Sequence, residues 1–353
     1  MPMAQAGGPA GIVTRRRFLG TLALGAAAMA GGPRLIPRDR QGTPVRDDEI
    51  LFRFLQLNDL HVQQAEGFTH PTYKDANRRV RWVLENLTNP AFFPPLDFVL
   101  LNGDMIHQGT LESNRGAFAF LRTLLPQIPI PYYPVVGNHE VSQHEGDPRW
   151  EEPYVQTFGD DRRFYSFDHG GLAFVVFNNS GTGENLDDSV YRERHEQLRR
   201  MLASHAGTPT LVVCHIPVYP VREEAVLARS FGFHSWKTRE PEVARMLEEH
   251  PSVLGVLSGH LHLTGVSHHG PVPQIVFAGT ASFPHDIGLF TVSRTAITVE
   301  ALRLPSNLLA PETNIHGAQR HGVDFTDGEH PSYTSYLMGN SDERAVVIPR
   351  AAD

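Results

Sequence analysis

Five largely apolar runs in this chain end alike, in a short polar cluster built from Asp, Asn and His. That repetition constrains the fold more than any other feature. The clusters are Asn58-Asp59-Leu60-His61, Asn102-Gly103-Asp104 with His107 three residues on, Gly137-Asn138-His139-Glu140, Cys214-His215-Ile216-Pro217 and Gly259-His260-Leu261-His262. The runs before them are short and close to continuously apolar, which reads as strands buried on both faces. Ligands of open α/β sheets bind beyond the carboxyl ends of the strands. Five such ends carrying metal-ligand side chains predict one convergent site.

The remaining pattern supplies the layers around those strands. Strands are expected over Leu51–Leu57, Leu96–Leu101, Tyr132–Val136, Thr210–Cys214 and Val253–Leu257. Phe164–Asn178 reads as two strands joined at Asp168-His169-Gly170-Gly171, and Gln274–Ala278 with Gly288–Leu302 completes a second β set. Helical periodicity marks Tyr73–Leu87, Leu111–Leu125, Asp188–Ser204 and Pro241–Glu249. Alternating strands and helices with interspersed hairpins predict α/β layers and mixed sheets. Residues 305–353 lack periodicity and are expected to wrap the surface irregularly or to be partly mobile. No internal repeat is found.

The chemistry follows from the donor types. Asp, Asn and imidazole without thiolate suit Mn, Fe or Zn rather than a soft-ligand metal, and the one cysteine, Cys214, can form neither an internal disulfide nor a thiolate cage. Asp59-x-His61 and His260-x-His262 would turn both side chains to one face if extended. Gly103, Gly137 and Gly259 permit sharp turns directly after the strands. A carboxylate lying between two ligand clusters can bridge two ions, and Asp104 is the candidate. Any one cluster alone would read as satisfied polar groups at a strand end; the five in order do not.

Composition narrows the partners. With 41% hydrophobic and 20% charged residues, the chain can bury a sizeable core and is not mainly disordered. Lys and Arg number 31 against 39 Asp and Glu, a formal charge of −8, which argues against a broad nucleic-acid-binding surface. At the N-terminus, Thr14-Arg15-Arg16-Arg17-Phe18-Leu19-Gly20 precedes an apolar run to Ala30, too short for the ~20 residues that span a bilayer. Ala28-Met29-Ala30 offers a small-residue cleavage site. The segment resembles a twin-arginine export signal, with Gly20 where the pattern has Lys. The resemblance implies a signal over residues 1–30, a linker over 31–49, engagement of the twin-arginine translocation machinery, and a periplasmic or extracellular mature protein without a transmembrane anchor. That route carries folded proteins, which suits a chain that acquires metal before export.

The motif order Asp-x-His, Gly-Asp, Gly-Asn-His-Glu, strand-end His and Gly-His-x-His resembles the calcineurin-like metallophosphoesterase superfamily. The resemblance covers about residues 50–302, within a domain expected over 50–304, and implies a four-layer α/β/β/α sandwich of two mixed sheets, with a dinuclear metal site at the strand carboxyl ends. It assigns Asp59, His61 and His262 to one metal, Asn138, His215 and His260 to a second, and Asp104 to the bridge. Two ions about 3.5–4 Å apart can activate a bridging hydroxide and clamp the attacking and leaving oxygens. His139 would face the scissile phosphate, protonating the leaving alcohol or stabilising phosphoryl oxygens. The expected activity is metal-dependent hydrolysis of a small phosphomonoester or phosphodiester.

One position departs from the commonest pattern. His107 stands where many members have an Asp that orients the catalytic His. Some diester-cleaving branches carry His there, so His107 either contacts substrate or supports His139. Purple acid phosphatases have Tyr at this place, so a tyrosinate-coloured centre is not expected. Arg222, Arg229, Phe231, Phe233, His234 and Trp236 within residues 219–236 read either as a lid over a phosphate ester or as aromatics packed on the sheet, and His144 and Trp150 carry the same ambiguity. Two other function classes compete: a metal-dependent amide or ester hydrolase, against which the motif order argues, and a catalytically degenerate metal- or phosphate-binding surface protein.

Overall fold

The computed structural model describes residues 36–37, 49–64, 73–107, 109–141, 148–180, 188–231, 241–267, 272–310 and 325–350. The proposed export signal, most of the linker, His144, Phe233, His234 and Trp236 lie outside the described residues. No helix among the described residues is long and apolar enough to cross a membrane.

The strands are β1 (Ile36–Pro37), β2 (Ile50–Leu57), β3 (Phe98–Asn102), β4 (Tyr132–Val135), β5 (Tyr165–His169), β6 (Leu172–Val176), β7 (Thr210–Val213), β8 (Val253–Ser258), β9 (Gly265–Ser267), β10 (Gln274–Val276), β11 (Asp286–Ser293), β12 (Ala296–Arg303) and β13 (Ala345–Pro349). The helices are α1 (Ala76–Asn86), α2 (Leu111–Leu124), α3 (Pro148–Phe158), α4 (Asp188–Ser204), α5 (Glu224–Phe231), α6 (Pro241–Glu248), α7 (Tyr333–Met338) and α8 (Ser341–Arg344). Among the described residues they build a seven-stranded sheet, ordered β1-β13-β12-β11-β2-β3-β4, and a six-stranded sheet, ordered β5-β6-β7-β8-β10-β9. Both sheets are mixed: β2, β3 and β4 run parallel, as do β6, β7, β8 and β10, with antiparallel neighbours outside them. The expected layered α/β fold is therefore present.

Alternation along β2 shows how one strand serves two layers. Phe52 and Phe54 face the other sheet, where Phe54 stacks on Phe98 at 4.9 Å and on Phe290 at 4.4 Å and meets Phe174 edge-on at 5.4 Å. Leu55 and Leu57 face the opposite way, into a cluster with Val80, Val83 and Leu84 of α1 and Phe118, Leu121 and Leu124 of α2. Each fully buried side chain of this size contributes about 1.5–3 kcal/mol. The outer face of the six-stranded sheet packs likewise on Leu198 and Leu202 of α4 and Val243 and Leu247 of α6. The result is helices, sheet, sheet, helices.

Residues 305–353 depart from expectation. Instead of an irregular tail, the described residues 325–350 supply α7, α8 and β13, and β13 pairs antiparallel with β12 inside the seven-stranded sheet. Ala345–Pro349 is a lone five-residue apolar run, too short for periodicity to mark, and its place is set by long-range pairing. Ile36–Pro37, inside the expected linker, pairs in turn with β13. The helix α3 was also illegible, because Pro153 sits inside it. Arg222 is not a lid cation: its side chain is buried and ion-paired to Glu343. Trp150 is buried in α3.

Candidate metal centre

All five polar clusters leave their strands toward one place. Asp59 and His61 follow β2, Asp104 follows β3, Asn138 and His139 follow β4, His215 follows β7, and His260 and His262 follow β8. Their donor atoms form two fully buried groups, Asp59–His61–His262 and Asp104–His215–His260, and a third, partly exposed one in which His61 meets His107 and His139. In the first, His61 Nε2 lies 3.1 Å from His262 Nε2, and Asp59 Oδ1 lies 3.1 Å from His262 Nε2. In the second, Asp104 Oδ2 is 3.2 Å from His215 Nε2, and Asn138 Oδ1 is 2.8 Å from His260 Nδ1. Asp104 Oδ2 is also 3.7 Å from His61 Nε2, so this carboxylate lies between the groups.

The backbone that achieves this is not the extended one that i, i+2 spacing suggests. Asp59, His61, Asp104, His260 and His262 all have positive φ, at 48°, 43°, 49°, 71° and 51°. A non-glycine residue held there costs about 1–3 kcal/mol and persists only where its surroundings over-determine it. Those surroundings are visible. Asp59 N donates to Gly103 O at 3.0 Å, His61 N to Asp104 O at 2.9 Å, and His260 N to Asp59 Oδ2 at 2.9 Å. Gly103 itself has φ +76°, and an added Cβ would collide with the His215 ring.

Other side chains fix the imidazoles. Ser282 Oγ is 2.6 Å from His262 Nδ1, and Asn102 O is 2.9 Å from His215 Nδ1, leaving each Nε2 to face the centre. Tyr73 stacks on His61 at 4.3 Å with parallel planes. Asn58 Nδ2 donates to Asp59 Oδ2 at 2.7 Å. Glu140 accepts three backbone N–H groups, from Gly137, Asp104 and Ile106. Sequence reasoning gave none of these a role. The signal for Glu140 was a carboxylate directly after the Asn138-His139 pair of its strand-end cluster; Tyr73 and Ser282 carried none.

The site's charges are ordered by burial and pairing. Burial alone would raise the Asp59 and Asp104 carboxyls. The imidazoles of His262 and His215 around Asp59, and of His215 and His139 around Asp104, instead hold both well below the usual carboxylate range. Burial pushes His61 down to about 4 and His260 to about 3. At His215 burial also works downward, but Asp104 and Asp59 outweigh it and lift the imidazole to about 10. Ionised carboxylates and neutral imidazoles are the forms that ligate metals, and the pull on His215 shows how strongly this spot favours positive charge. Asp59 Oδ1 and His215 Nε2 are buried and, among the described residues, make no aligned hydrogen bond. Unsatisfied buried donor atoms of this kind, converging from oxygen and imidazole ligands, fit borderline divalent or trivalent metal ions.

His139 differs from the rest. Its side chain is 13% exposed whereas those of His61, His215 and His262 are nearly inaccessible. Its backbone N–H donates to Asp104 Oδ1 at 2.9 Å, and its ring meets the His61 ring edge-on at 4.7 Å. His107, half-buried, lies with its ring 5.2 Å from that of His139 and 4.9 Å from Tyr73.

Comparison with known proteins agrees with this architecture. The family model described as calcineurin-like phosphoesterase matches residues 52–263, which include all five clusters. A probable cyclic nucleotide phosphodiesterase of Moraxella catarrhalis is 25% identical over 230 residues, 64% of this chain and 76% of that protein. A 3′,5′-cyclic-nucleotide phosphodiesterase of Nostoc sp. is 26% identical over 226 residues, 61% of this chain and 73% of that protein. A dimetal phosphatase from Danio rerio shares the fold with a TM-score of 0.54 at 14% identity, over 71% of this chain and 96% of that one. Purple acid phosphatase from yellow lupin does so with a TM-score of 0.52 at 17% identity, over 71% of this chain and 51% of that one. Five matched clusters on two mixed sheets leave one assignment: the chain belongs to the calcineurin-like phosphoesterase family and is a phosphoric ester hydrolase.

Proposed function

We propose that this chain is a two-metal phosphodiesterase acting on small diesters, with 3′,5′-cyclic nucleotides the first substrates to test. The observation that carries the reading is the division of the buried donors into two groups that meet at Asp104. Asp59, His61 and His262 would hold one ion, Asn138, His215 and His260 the other, and Asp104 both. Bound there, such ions supply Lewis acidity toward phosphoryl oxygens and lower the pKa of water. Manganese, iron and zinc all suit the donors.

The chain's own part is orientation and proton delivery. Asp104 and Asp59 stay ionised, and Ser282 and the Asn102 carbonyl keep His262 and His215 turned inward. His139, the accessible imidazole, delivers a proton to the departing alkoxide or stabilises phosphoryl oxygens. Burial lowers its pKa, with Asp104 opposing; the negative charge of a bound phosphate would favour its protonated form. His107 would touch the second ester substituent; its ring, 5.2 Å from that of His139, supports this reading, and the relatives named as cyclic nucleotide phosphodiesterases support the diester. The N-terminal arginine pair supports export before the enzyme acts.

Steady-state hydrolysis of 4-nitrophenyl phosphate, bis(4-nitrophenyl) phosphate and 3′,5′-cyclic AMP, each with and without chelator, tests the proposal. Chelator-sensitive turnover with both diesters preferred over the monoester is expected. A strong monoester preference would overturn the diester assignment.

A further inference from the structure

The loop carrying His260 and His262 is held by more than the strand before it. Leu261, between the two histidines, packs in a cluster with Val221, Leu263, Tyr336 and Leu337. Thr264, two residues after His262, donates its backbone N–H to Leu337 O at 2.8 Å and accepts from Arg222 Nη2 at 2.7 Å. The fully buried Arg222 spends its other donors on Tyr336 O at 2.9 Å, Val221 O at 2.7 Å and Glu343 Oε1 at 2.7 Å. Glu343 is filled in turn. Oε1 also accepts from Val266 N at 3.1 Å, and Oε2 accepts from Asn340 N at 2.8 Å and lies 2.7 Å from His330 Nε2. His330 Nδ1 lies 2.7 Å from Asp327 Oδ1. The chain of charges Arg222, Glu343, His330, Asp327 thus joins residues 325–344 to the C-terminal side of the ligand loop.

We propose that Arg222, Glu343 and His330 are positioning residues: a buried clasp by which the C-terminal segment fixes the left-handed backbone of His260 and His262 and so aims both imidazoles at the metals. The inference rests on the reading that these two histidines hold metal. Two positive-φ histidines within three residues need their surroundings to over-determine them. The loop's own bond from Leu261 N to Gly259 O, and the bond from His260 N to Asp59 Oδ2 of the loop after β2, fix only its first half. Its second half is fixed by Arg222 and the C-terminal segment, with Thr264 Oγ1 further donating to Asp286 Oδ2, which is itself paired with Arg344. A buried ion network of this kind contributes little net stability against an apolar replacement; its better-attested use is to specify one arrangement. Glu343 and His330 lie beyond the residues matched to the family.

The test is Co²⁺ binding by the full chain, followed by competition with a chelator and by the visible spectrum of the loaded protein. Glu343→Gln keeps the shape of the side chain but turns an N–H toward donors. It is expected to weaken Co²⁺ binding by roughly 10- to 100-fold, the range for losing a group that orients metal ligands, and to alter the spectrum. His330→Gln removes one arm and leaves Arg222 paired, so it should shift affinity in the same direction by less; it decides the matter if Glu343→Gln does not fold. Wild-type affinity and spectrum in a folded Glu343→Gln, whatever its melting temperature, would overturn the clasp. His262→Ala measured alongside separates the two readings: if it binds Co²⁺ as the wild type does, the metal assignment fails, and the clasp with it.

Discussion

Glu140 accepts the backbone N–H of Asp104 at 2.8 Å on the same oxygen, Oε2, that accepts the N–H of Gly137. Its other oxygen takes the N–H of Ile106 at 3.1 Å. One buried carboxylate therefore ties the loop after β4 to the loop after β3 and sets the backbone of the residue that lies between the two donor groups. A Cβ at Gly137 would come within 2.6 Å of Glu140 Oε2 and collide with Asp104, so glycine is required by space rather than by a turn conformation.

Replacing Glu140 by Gln should therefore reach the centre without touching it. The amide would present an N–H to at least one backbone donor, leaving a buried group unsatisfied at a cost of about 1–3 kcal/mol. Urea unfolding should show that loss, and metal content should fall with it. Stability and metal content both equal to the wild type would show that Glu140 does not set the Asp104 loop.

His139→Asn should keep the metals and lose rate. Removal of a general acid lowers turnover by roughly 10²–10⁴-fold. The loss should be larger for 3′,5′-cyclic AMP, whose leaving group is an alkoxide, than for bis(4-nitrophenyl) phosphate, whose nitrophenolate leaves with little need of a proton. An equal drop for both would assign His139 to phosphoryl-oxygen stabilisation instead, and metal loss would make it a ligand.

The C-terminal clasp should give stability a pH signature. At His330 burial works downward, but the hydrogen bonds to Glu343 and Asp327 and the charge of Glu343 outweigh it and Arg222, raising the pKa. A raised folded pKa contributes stability that is complete below the unfolded value of about 6.5 and is lost as pH rises through the folded value. Burial works upward on Glu343, but His330 and Arg222 bring it down to about 2. Its contribution is complete above the unfolded value of about 4.3 and fades as pH falls toward the folded one. The clasp is thus strongest between those two unfolded values. Melting curves of the wild type and His330→Gln should differ most there and converge on the alkaline side; a constant difference up to about pH 10 would contradict the linkage.

Export is a separate matter. Exchanging Arg15 and Arg16 for Lys keeps the charge and loses the planar guanidinium that a geometry-reading receptor needs. The precursor should then remain in the cytoplasm in cell fractionation. Unchanged export would point to the general secretory route.

The centre was more legible than the frame around it. Buried strands such as Phe98–Asn102 and Val253–Ser258 announce themselves as apolar runs, and their polar ends show where the site lies. Backbone conformation at those ends was not legible, because positive φ at Asp59 or His262 is imposed by packing and hydrogen bonds from distant segments rather than by local propensity. The same holds for β13, which has its place only once β12 is beside it. Arg222 shows the limit most clearly: in sequence it sits among aromatics like a lid residue, and only the fold brings Glu343, 121 positions away, to its guanidinium.

Metal content of the wild type and Asp104→Asn, measured by elemental analysis on the same preparation, tests the central claim most directly. The two donor groups meet at Asp104, so the wild type should carry two equivalents per chain. The variant should lose metal from both groups together with turnover, while its fold persists in circular dichroism. Two full equivalents in Asp104→Asn, or a single equivalent in a fully active wild type, would contradict a dinuclear centre bridged by this carboxylate.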